Sequence, residues 1–243
     1  GKYAVLLPGP PAELQPMFLN EVKPWLAGLT DCALHSLVLR VAGIGESHLE
    51  GKVAHLLAGE NPTAALYAKT GEVFIRITAK AQDAAAAEAM CRAFAGEFYA
   101  VLGDAIYGED SETLAAAAVH ALQKTGATAA TAESCTGGLV SAALTDVPGA
   151  SEVFGFGACT YSNEQKMRVL GVSAETLRQY GAVSAETAAE MAQGVRRAAG
   201  ADFGIGITGI AGPGGGTKEK PVGLVFLAAA CENKVYVQKL LME

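Results

Sequence analysis

Short apolar runs alternate with helical patterns through the second half of the chain. The strand-like runs cover residues 128–132, 155–161, 203–208, 222–230 and 234–241. Such an alternation is typical of a parallel sheet that is covered by helices on both faces. The last two runs are separated only by Cys231, Glu232 and Asn233, a connection so short that it permits only an antiparallel hairpin. The sequence therefore predicts an α/β fold with a mixed, largely parallel sheet covered by helices on both faces.

The clearest helical pattern of this half lies at residues 184–199, between two of the predicted strands. Its apolar stripe consists of Ala188, Met191, Ala192 and Val195. An earlier helix is predicted to run to about Lys124 and to begin at Ser111, whose hydroxyl can cap it. We therefore assign residues 111–243 to one α/β domain.

A smaller α+β pattern precedes this domain. Its predicted strands cover residues 34–42, 64–68 and 72–79, and a helix is predicted at 83–102. Ser47 and Glu50 have the spacing of a capping box that would open a further helix after the first strand. Lys69-Thr70-Gly71 would join the other two strands as a hairpin. These elements assign residues 31–110 to a small α+β domain, whereas the Pro-rich residues 1–30 are too few to form a domain alone.

The charge balance argues against nucleic acid as a partner. The chain has 18 Lys and Arg residues against 25 Asp and Glu residues, which gives a net charge of −7. Proteins that neutralise phosphates carry the opposite sign. No apolar stretch approaches the roughly 20 residues of a membrane-spanning helix, so we expect no membrane association and a cytoplasmic location.

The cysteines suggest neither disulfides nor a metal site. The five cysteines are scattered, and no Cys-x-x-Cys pair is present. Histidines are also scarce, since His120 is the only one after residue 110. We therefore expect no metal and no cofactor.

Three predicted strand ends carry unusual loops, and ligands of open α/β sheets bind beyond the carboxyl ends of the strands. These loops cover residues 133–138, 161–166 and 208–218. If Tyr161 ends a strand and Asn163 caps the next helix, Lys166 falls on the first helical turn. Each loop also has an ordinary interpretation, as a tight turn with a helix cap, a segment with a solvated lysine, or a flexible connection.

Elimination leaves a hydroxyl and an amine as the candidate catalytic pair. A Ser-His-Asp triad is hard to assemble because His120 lies in a helix before these loops. Ser134 would attack, Lys166 would take its proton, and Tyr161 would serve as a relay or an oxyanion donor. For Lys166 to act as a base near neutral pH, its pKa must fall from about 10.4.

The same loops resemble a known family. Glu133-Ser134-Cys135-Thr136-Gly137-Gly138, the segment 161–166, Gly181-Ala182-Val183-Ser184 and the segment 207–213 are together similar to the C-terminal domain of the competence/damage-inducible protein CinA family. The resemblance covers about residues 111–241. It implies a nicotinamide-nucleotide amidase that converts nicotinamide mononucleotide to nicotinate mononucleotide and ammonia without a metal.

The resemblance also implies roles for particular residues. The catalytic serine, tyrosine and lysine of the family correspond to Ser134, Tyr161 and Lys166, and its substrate-site threonine corresponds to Thr208. With the neighbouring loop residues, the expected substrate contacts are Glu133, Thr136, Gly137, Gly138, Thr208, Gly209 and Gly212. Amides near Thr136–Gly138 would stabilise the oxyanion, and the phosphate would lie against backbone of residues 208–216.

The first half of the chain resembles other parts of the same family. Residues 34–110 are similar to its KH-like middle domain, but no Gly-x-x-Gly loop follows the first predicted strand and acidic residues outnumber basic ones. Residues 1–30 resemble only the tail, a remnant, of its N-terminal molybdopterin-binding-like domain, so we expect no pyrophosphatase activity. Family members continue past the last strand into an arginine-containing segment and a closing helix.

Two functions of different classes follow from these observations. The first is the amidase, with a small-molecule mononucleotide as substrate. The alternative is a non-catalytic, competence-associated protein that binds a partner. A different small carboxamide is a further possible substrate. We expect a homo-oligomer, with a dimer favoured.

Overall fold

The computed structural model describes residues 2–29, 31–69 and 71–242. The chain divides into two compact units, Gly1–Glu112 and Thr113–Glu243. The first contains α1 (Pro11–Met17), a π-helical segment (Phe18–Val22), α2 (Lys23–Ala27), β1 (Ala33–Ala42), α3 (Glu46–Leu57), β2 (Thr63–Lys69), β3 (Glu72–Ala81), α4 (Ala84–Leu102), a 3-10 turn (Gly103–Ala105) and β4 (Ile106–Glu109).

The second unit contains the sheet whose edge was predicted to bind a ligand. Its elements are α5 (Leu114–Thr125), β5 (Ala129–Glu133), α6 (Leu139–Thr145), a 3-10 turn (Ala150–Glu152), β6 (Phe154–Cys159), α7 (Asn163–Leu170), α8 (Ala174–Tyr180), α9 (Ala185–Ala199), β7 (Phe203–Gly209), β8 (Leu224–Ala230) and β9 (Val235–Leu241). Within the described residues, no helix is long and apolar enough to cross a membrane.

The first unit is an antiparallel sheet with strand order β2-β3-β1-β4. Alternate residues of β1 and β3 are buried, which is typical of a sheet with one face on a core. These residues pack with side chains of α3 and α4 in one apolar cluster. The sequence does not predict β4, because four residues are too few to show a strand period.

The helix caps predicted at Ser47 and Ser111 are wrong. Helix α3 begins at Glu46 with Gly45 at its N-cap and no side-chain cap, so Ser47 lies inside the first turn. Helix α5 is capped by Thr113 rather than Ser111, because the Thr113 hydroxyl accepts the amide of Ala116 at 3.1 Å. In the predicted hairpin, Thr70 lies outside the described residues, while Lys69 pairs with Glu72.

The second unit confirms the mixed, largely parallel sheet with helices on both faces. Its strand order is β6-β5-β7-β8-β9. The pairings show that β5, β6, β7 and β9 run in one direction and that β8 runs against them. The predicted stripe Ala188, Met191, Ala192 and Val195 is fully buried on α9.

Helix α9 approaches β7 closely enough for the two backbones to touch. A Cβ atom at Gly204 would lie 2.0 Å from the carbonyl oxygen of Ala192, and one at Gly206 would lie 2.4 Å from that of Ala188. Only glycine therefore fits at these two strand positions.

The strand order places a topological switch point beside β5. The chain leaves β5 towards β6 on one side, and after β6 it crosses to β7 on the other side of β5. Connections that diverge in this way leave a crevice at the carboxyl ends of the strands. The residues that follow β5, β6 and β7 meet there.

Candidate active site

Backbone hydrogen bonds join the loops after β5, β6 and β7 at the crevice. The amide of Ser134 donates to the carbonyl of Ile207 at 3.0 Å, and the amide of Thr160 donates to the carbonyl of Glu133 at 2.8 Å. Ser134 is therefore held at the end of the central strand pair, with 7% of its surface exposed.

Lys166 reaches Ser134 from the first turns of α7. This helix begins after Ser162, whose hydroxyl accepts the amide of Gln165 at 3.3 Å, so Ser162 rather than Asn163 is the cap. The Nζ atom of Lys166 lies 3.1 Å from Ser134 Oγ. Only 1% of Lys166 is exposed, which makes it one of the most buried side chains of the protein.

Two carbonyl oxygens complete the surroundings of this amine. Nζ of Lys166 donates to the carbonyl of Thr160 at 2.9 Å and to that of Tyr161 at 3.1 Å. With Ser134 Oγ, which also accepts from Nζ, three acceptor oxygens surround the amine and match the three N–H donors of its protonated form. When the amine is neutral, a rotation of the Ser134 hydroxyl lets it donate to the lone pair, so hydrogen bonding accommodates both protonation states of Lys166.

Burial also favours the uncharged amine. Loss of solvation lowers the pKa of Lys166 below its ordinary value of 10.5, against opposing effects of the nearby Cys135 and Cys159 thiols. A lowered pKa is the condition that the predicted role of Lys166 as a base requires.

Glu133 points away from the crevice and towards the start of α6. Its carboxylate accepts the amides of Gly138 and Val140, both at 3.1 Å, and the amide and hydroxyl of Ser141 at 2.8 and 2.7 Å. Burial alone would raise the pKa of Glu133, but hydrogen bonds, with that of the Ser141 hydroxyl foremost, outweigh it and hold the pKa below the usual value. Glu133 thus fixes the loop that carries Ser134.

The amides of the predicted oxyanion segment are mostly used within the loop. The Gly137 amide donates to the carbonyl of Ser134 at 3.1 Å, and the Gly138 amide donates to Glu133. The amides of Cys135 and Thr136 lie beside the Cys135 sulfur, where they lower the thiol pKa against the larger effect of burial, which raises it.

The side chain of Tyr161 is not brought to Ser134. It is 76% exposed, and the atom of Tyr161 that contacts Lys166 is its carbonyl oxygen. Strand β6 ends at Cys159, two residues before the predicted end.

Thr208 and Gly209 close the other side of the crevice. Thr208 is 1% exposed, and its hydroxyl donates to the carbonyl of Ala182 at 2.7 Å. A Cβ atom at Gly209 would lie 2.9 Å from Cys135 Sγ, so glycine here lets β7 pack against the Ser134 loop. Gly212 lies further along, with a positive φ of 81° and with Val222 against it.

Sequence reasoning missed three contributors. Thr160 supplies a carbonyl to Lys166, and the only signal was its place directly before Tyr161. No role was predicted for Ala182 or Lys220, although Ala182 lies in the segment 181–184 that resembles the family. Within the described residues, no group of His, Cys, Asp or Glu side chains could hold a metal ion.

Comparison with protein families gives two matches. Residues 111–243 match the family described as the CinA C-terminal domain. Residues 36–108 match the family described as the damage-inducible protein CinA KH domain.

Curated relatives are similar along nearly the whole chain. A CinA-like protein of Desulfovibrio desulfuricans is 50% identical over 240 residues, which cover 99% of this chain and 56% of that protein. A putative competence-damage inducible protein of Clostridium perfringens is 52% identical over 238 residues, which cover 98% of this chain and 58% of that protein. The chain thus spans less than two thirds of the length of these relatives.

Solved structures match about half of the chain. The competence/damage inducible protein CihA of Agrobacterium tumefaciens has a TM-score of 0.52 and 46% identity, covering 54% of this chain and 79% of that chain. A CinA superfamily protein of Escherichia coli has a TM-score of 0.52 and 37% identity, covering 54% of this chain and 76% of that chain.

Proposed function

The chain belongs to the CinA family, and from this premise we propose that it hydrolyses the carboxamide of nicotinamide mononucleotide to nicotinate mononucleotide and ammonia. One observation carries the reaction type: Lys166 Nζ, almost fully buried, lies 3.1 Å from Ser134 Oγ. The family resemblance supplies the substrate.

In the first step Ser134 becomes acylated. Its Oγ attacks the carboxamide carbon while its proton passes to the lone pair of Lys166 Nζ. The C=O π electrons move to the carboxamide oxygen, which the amides of Cys135 and Thr136 stabilise. When the oxyanion collapses, the C–N bond breaks and Lys166 returns the proton to the departing nitrogen, which leaves as ammonia.

In the second step water releases the acid. Lys166, neutral again, takes a proton from water as the water oxygen attacks the acyl carbon of the Ser134 ester. The bond to Ser134 Oγ breaks, and Oγ recovers the proton from Lys166. The Thr160 and Tyr161 carbonyls hold Nζ in place through both steps. A relay through the Tyr161 hydroxyl would require the exposed ring to turn inward.

The nucleophile is tested by Ser134→Ala. We expect ammonia release from nicotinamide mononucleotide to fall by about a thousandfold or more. The fold should persist because, among the described residues, the Ser134 hydroxyl forms a side-chain hydrogen bond only with Lys166, and circular dichroism would check this. Ser151→Ala, at an exposed serine of the same unit, is the matched control.

Turnover of Ser134→Ala within about tenfold of the unsubstituted protein would contradict the assignment of the nucleophile. A panel of carboxamides in the same assay tests the substrate separately. Equal release from carboxamides without a nucleotide would leave the hydrolase mechanism intact and overturn the mononucleotide as its substrate.

A further inference from the structure

The turn between α8 and α9, residues 180–183, has an unusual set of hydrogen bonds. Each of its four carbonyl oxygens accepts a side-chain donor. The pairs are Lys220 Nζ to Tyr180 at 2.6 Å, Ser184 Oγ and Thr187 Oγ1 to Gly181 at 3.2 and 2.8 Å, Thr208 Oγ1 to Ala182 at 2.7 Å, and Lys220 Nζ to Val183 at 2.7 Å. Side chains rather than helical amides therefore satisfy this turn.

Lys220 reaches the turn from a different segment, the glycine-rich loop of residues 210–223. The loop is built around Lys220, since the Lys220 amide donates to Thr217 Oγ1 at 3.0 Å and the Thr217 amide donates to the Lys220 carbonyl at 2.8 Å. At its base, the Gly223 amide donates to the carbonyl of Ile210 at 2.8 Å. The Lys220 backbone is thus fixed by Thr217, while its side-chain amine contacts the α8–α9 turn.

The contact is short and charge-assisted. An ammonium group that donates to two carbonyl oxygens makes bonds roughly twice as strong as those between neutral groups. Gly181 has a positive φ of 77°, and a Cβ atom there would lie 3.3 Å from Lys220 Nζ. Glycine thus provides both the bend of the turn and the room for the amine.

The same turn also holds Thr208. The Thr208 hydroxyl donates to Ala182, between the two residues whose carbonyls accept Lys220. Thr208 follows Ile207, whose carbonyl accepts the Ser134 amide. A chain of contacts therefore runs from the glycine-rich loop through the α8–α9 turn to the wall of the crevice beside Ser134.

We propose that Lys220 is a positioning residue for substrate binding, which joins the glycine-rich loop to the α8–α9 turn and thereby holds in place the turn whose Ala182 carbonyl accepts the Thr208 hydroxyl. This inference rests on the proposed function, in which the mononucleotide lies against that loop. Without the Lys220 contacts, substrate binding would have to order the glycine-rich loop, and that entropic cost would weaken the affinity for the mononucleotide. The Ser134–Lys166 pair does not contact Lys220, so the chemical step would be preserved.

The test compares Lys220→Met with the unsubstituted protein. We expect the KM for nicotinamide mononucleotide to rise about tenfold and kcat to change by less than about threefold, because uniform binding is lost and the reacting groups are untouched. Lys220→Arg should recover part of the loss, since its guanidinium also offers several donors. Lys234→Met, at an exposed lysine of the β8–β9 hairpin, should behave as the unsubstituted protein.

A kcat that falls with KM unchanged would overturn the proposal, as would a Lys220→Met enzyme with unchanged constants. If Lys220→Met does not fold, Lys220→Leu, which likewise removes the amine donors, replaces it and is judged by the same criteria.

Hydrogen exchange tests the contacts between Lys220 and the α8–α9 turn independently of activity. Without any ligand, amides of residues 210–223 and 180–183 should exchange about tenfold faster in Lys220→Met and at the original rate in Lys234→Met. Unchanged exchange rates in Lys220→Met would contradict the proposal that Lys220 orders these two segments. If the unsubstituted protein released no ammonia, the proposed function would fail, while faster exchange in Lys220→Met would still establish that Lys220 orders both segments.

Discussion

Lys166 differs from an ordinary surface lysine chiefly in its solvation. Charged amines lose most of their hydration when they are buried, and the carbonyls of Thr160 and Tyr161 replace only part of it. The balance shifts towards the neutral form, which is the direction that the proposed role of Lys166 as a base requires. The burial of Lys166 thus accompanies both its contact with Ser134 and the lowering of its pKa.

The pH dependence of activity should report this base. Since the neutral amine is the reactive form, kcat/KM for ammonia release should rise with pH, with a midpoint below the ordinary value of 10.5. Lys166→Arg should lower activity by about a thousandfold at every pH, because a guanidinium stays protonated.

A steady-state pH series on both proteins provides the measurement. A profile without a rise at any pH below the ordinary value of 10.5 in the unsubstituted enzyme, or an active arginine variant, would contradict Lys166 as the base.

Helix α6 is capped by a side chain from another element. Gly138, its N-cap residue, offers no side-chain cap, and the carboxylate of Glu133 at the end of β5 takes over that task. Negative charge is favoured at a helix N-terminus because the first amides point outward. One buried carboxylate therefore couples β5, the Ser134 loop and α6.

Glu133→Gln should destabilise the protein by about 2–3 kcal/mol, because a neutral amide has one acceptor oxygen and its NH₂ group would face backbone donors. Urea unfolding at neutral pH measures this loss, with Glu232→Gln at an exposed hairpin position as the control.

The pH dependence of that loss has a definite sign. A carboxylate whose folded pKa is depressed contributes its full stability above the unfolded value of 4.5, and the contribution disappears as the pH falls through the lower folded pKa. The difference between the two proteins should therefore shrink as the pH falls from about 4.5 through the folded pKa. A constant difference down to about pH 2 would show that the charge of Glu133 is not the stabilising factor.

At the scale of the whole molecule, ligand binding distinguishes the amidase from a non-catalytic partner-binding protein. A ligand that binds only the folded state raises the free energy of unfolding, by about 2.7 kcal/mol when its concentration is about a hundred times Kd. The melting temperature rises with it. Ser134→Ala should therefore melt about 5 °C or more higher with excess nicotinamide mononucleotide, without consuming it.

Differential scanning fluorimetry with nicotinamide and nicotinate mononucleotides makes the comparison, with ribose 5-phosphate as a control for the sugar phosphate alone. A melting temperature unchanged by either mononucleotide would favour the partner-binding alternative.

The sequence by itself determined the types of elements and the edge at which they meet. The alternating runs predicted strands and helices in the second unit, and the short link before β9 required a hairpin, so the mixed sheet followed from local pattern and chain length. The cap predictions at Ser47 and Ser111 are wrong, because Gly45 and Thr113 occupy the N-cap positions of α3 and α5.

The tertiary structure alone decided how the residues of the site face one another. Ser134 and Lys166 are 32 residues apart in sequence, and their contact depends on strand order and on the packing of α7. The same packing buries Glu133 and leaves the Tyr161 ring exposed. It also places the Tyr161 carbonyl within hydrogen-bond distance of the Lys166 amine. Local periodicity fixes which face of an element is apolar, but side-chain direction and solvation depend on neighbours that are distant in sequence.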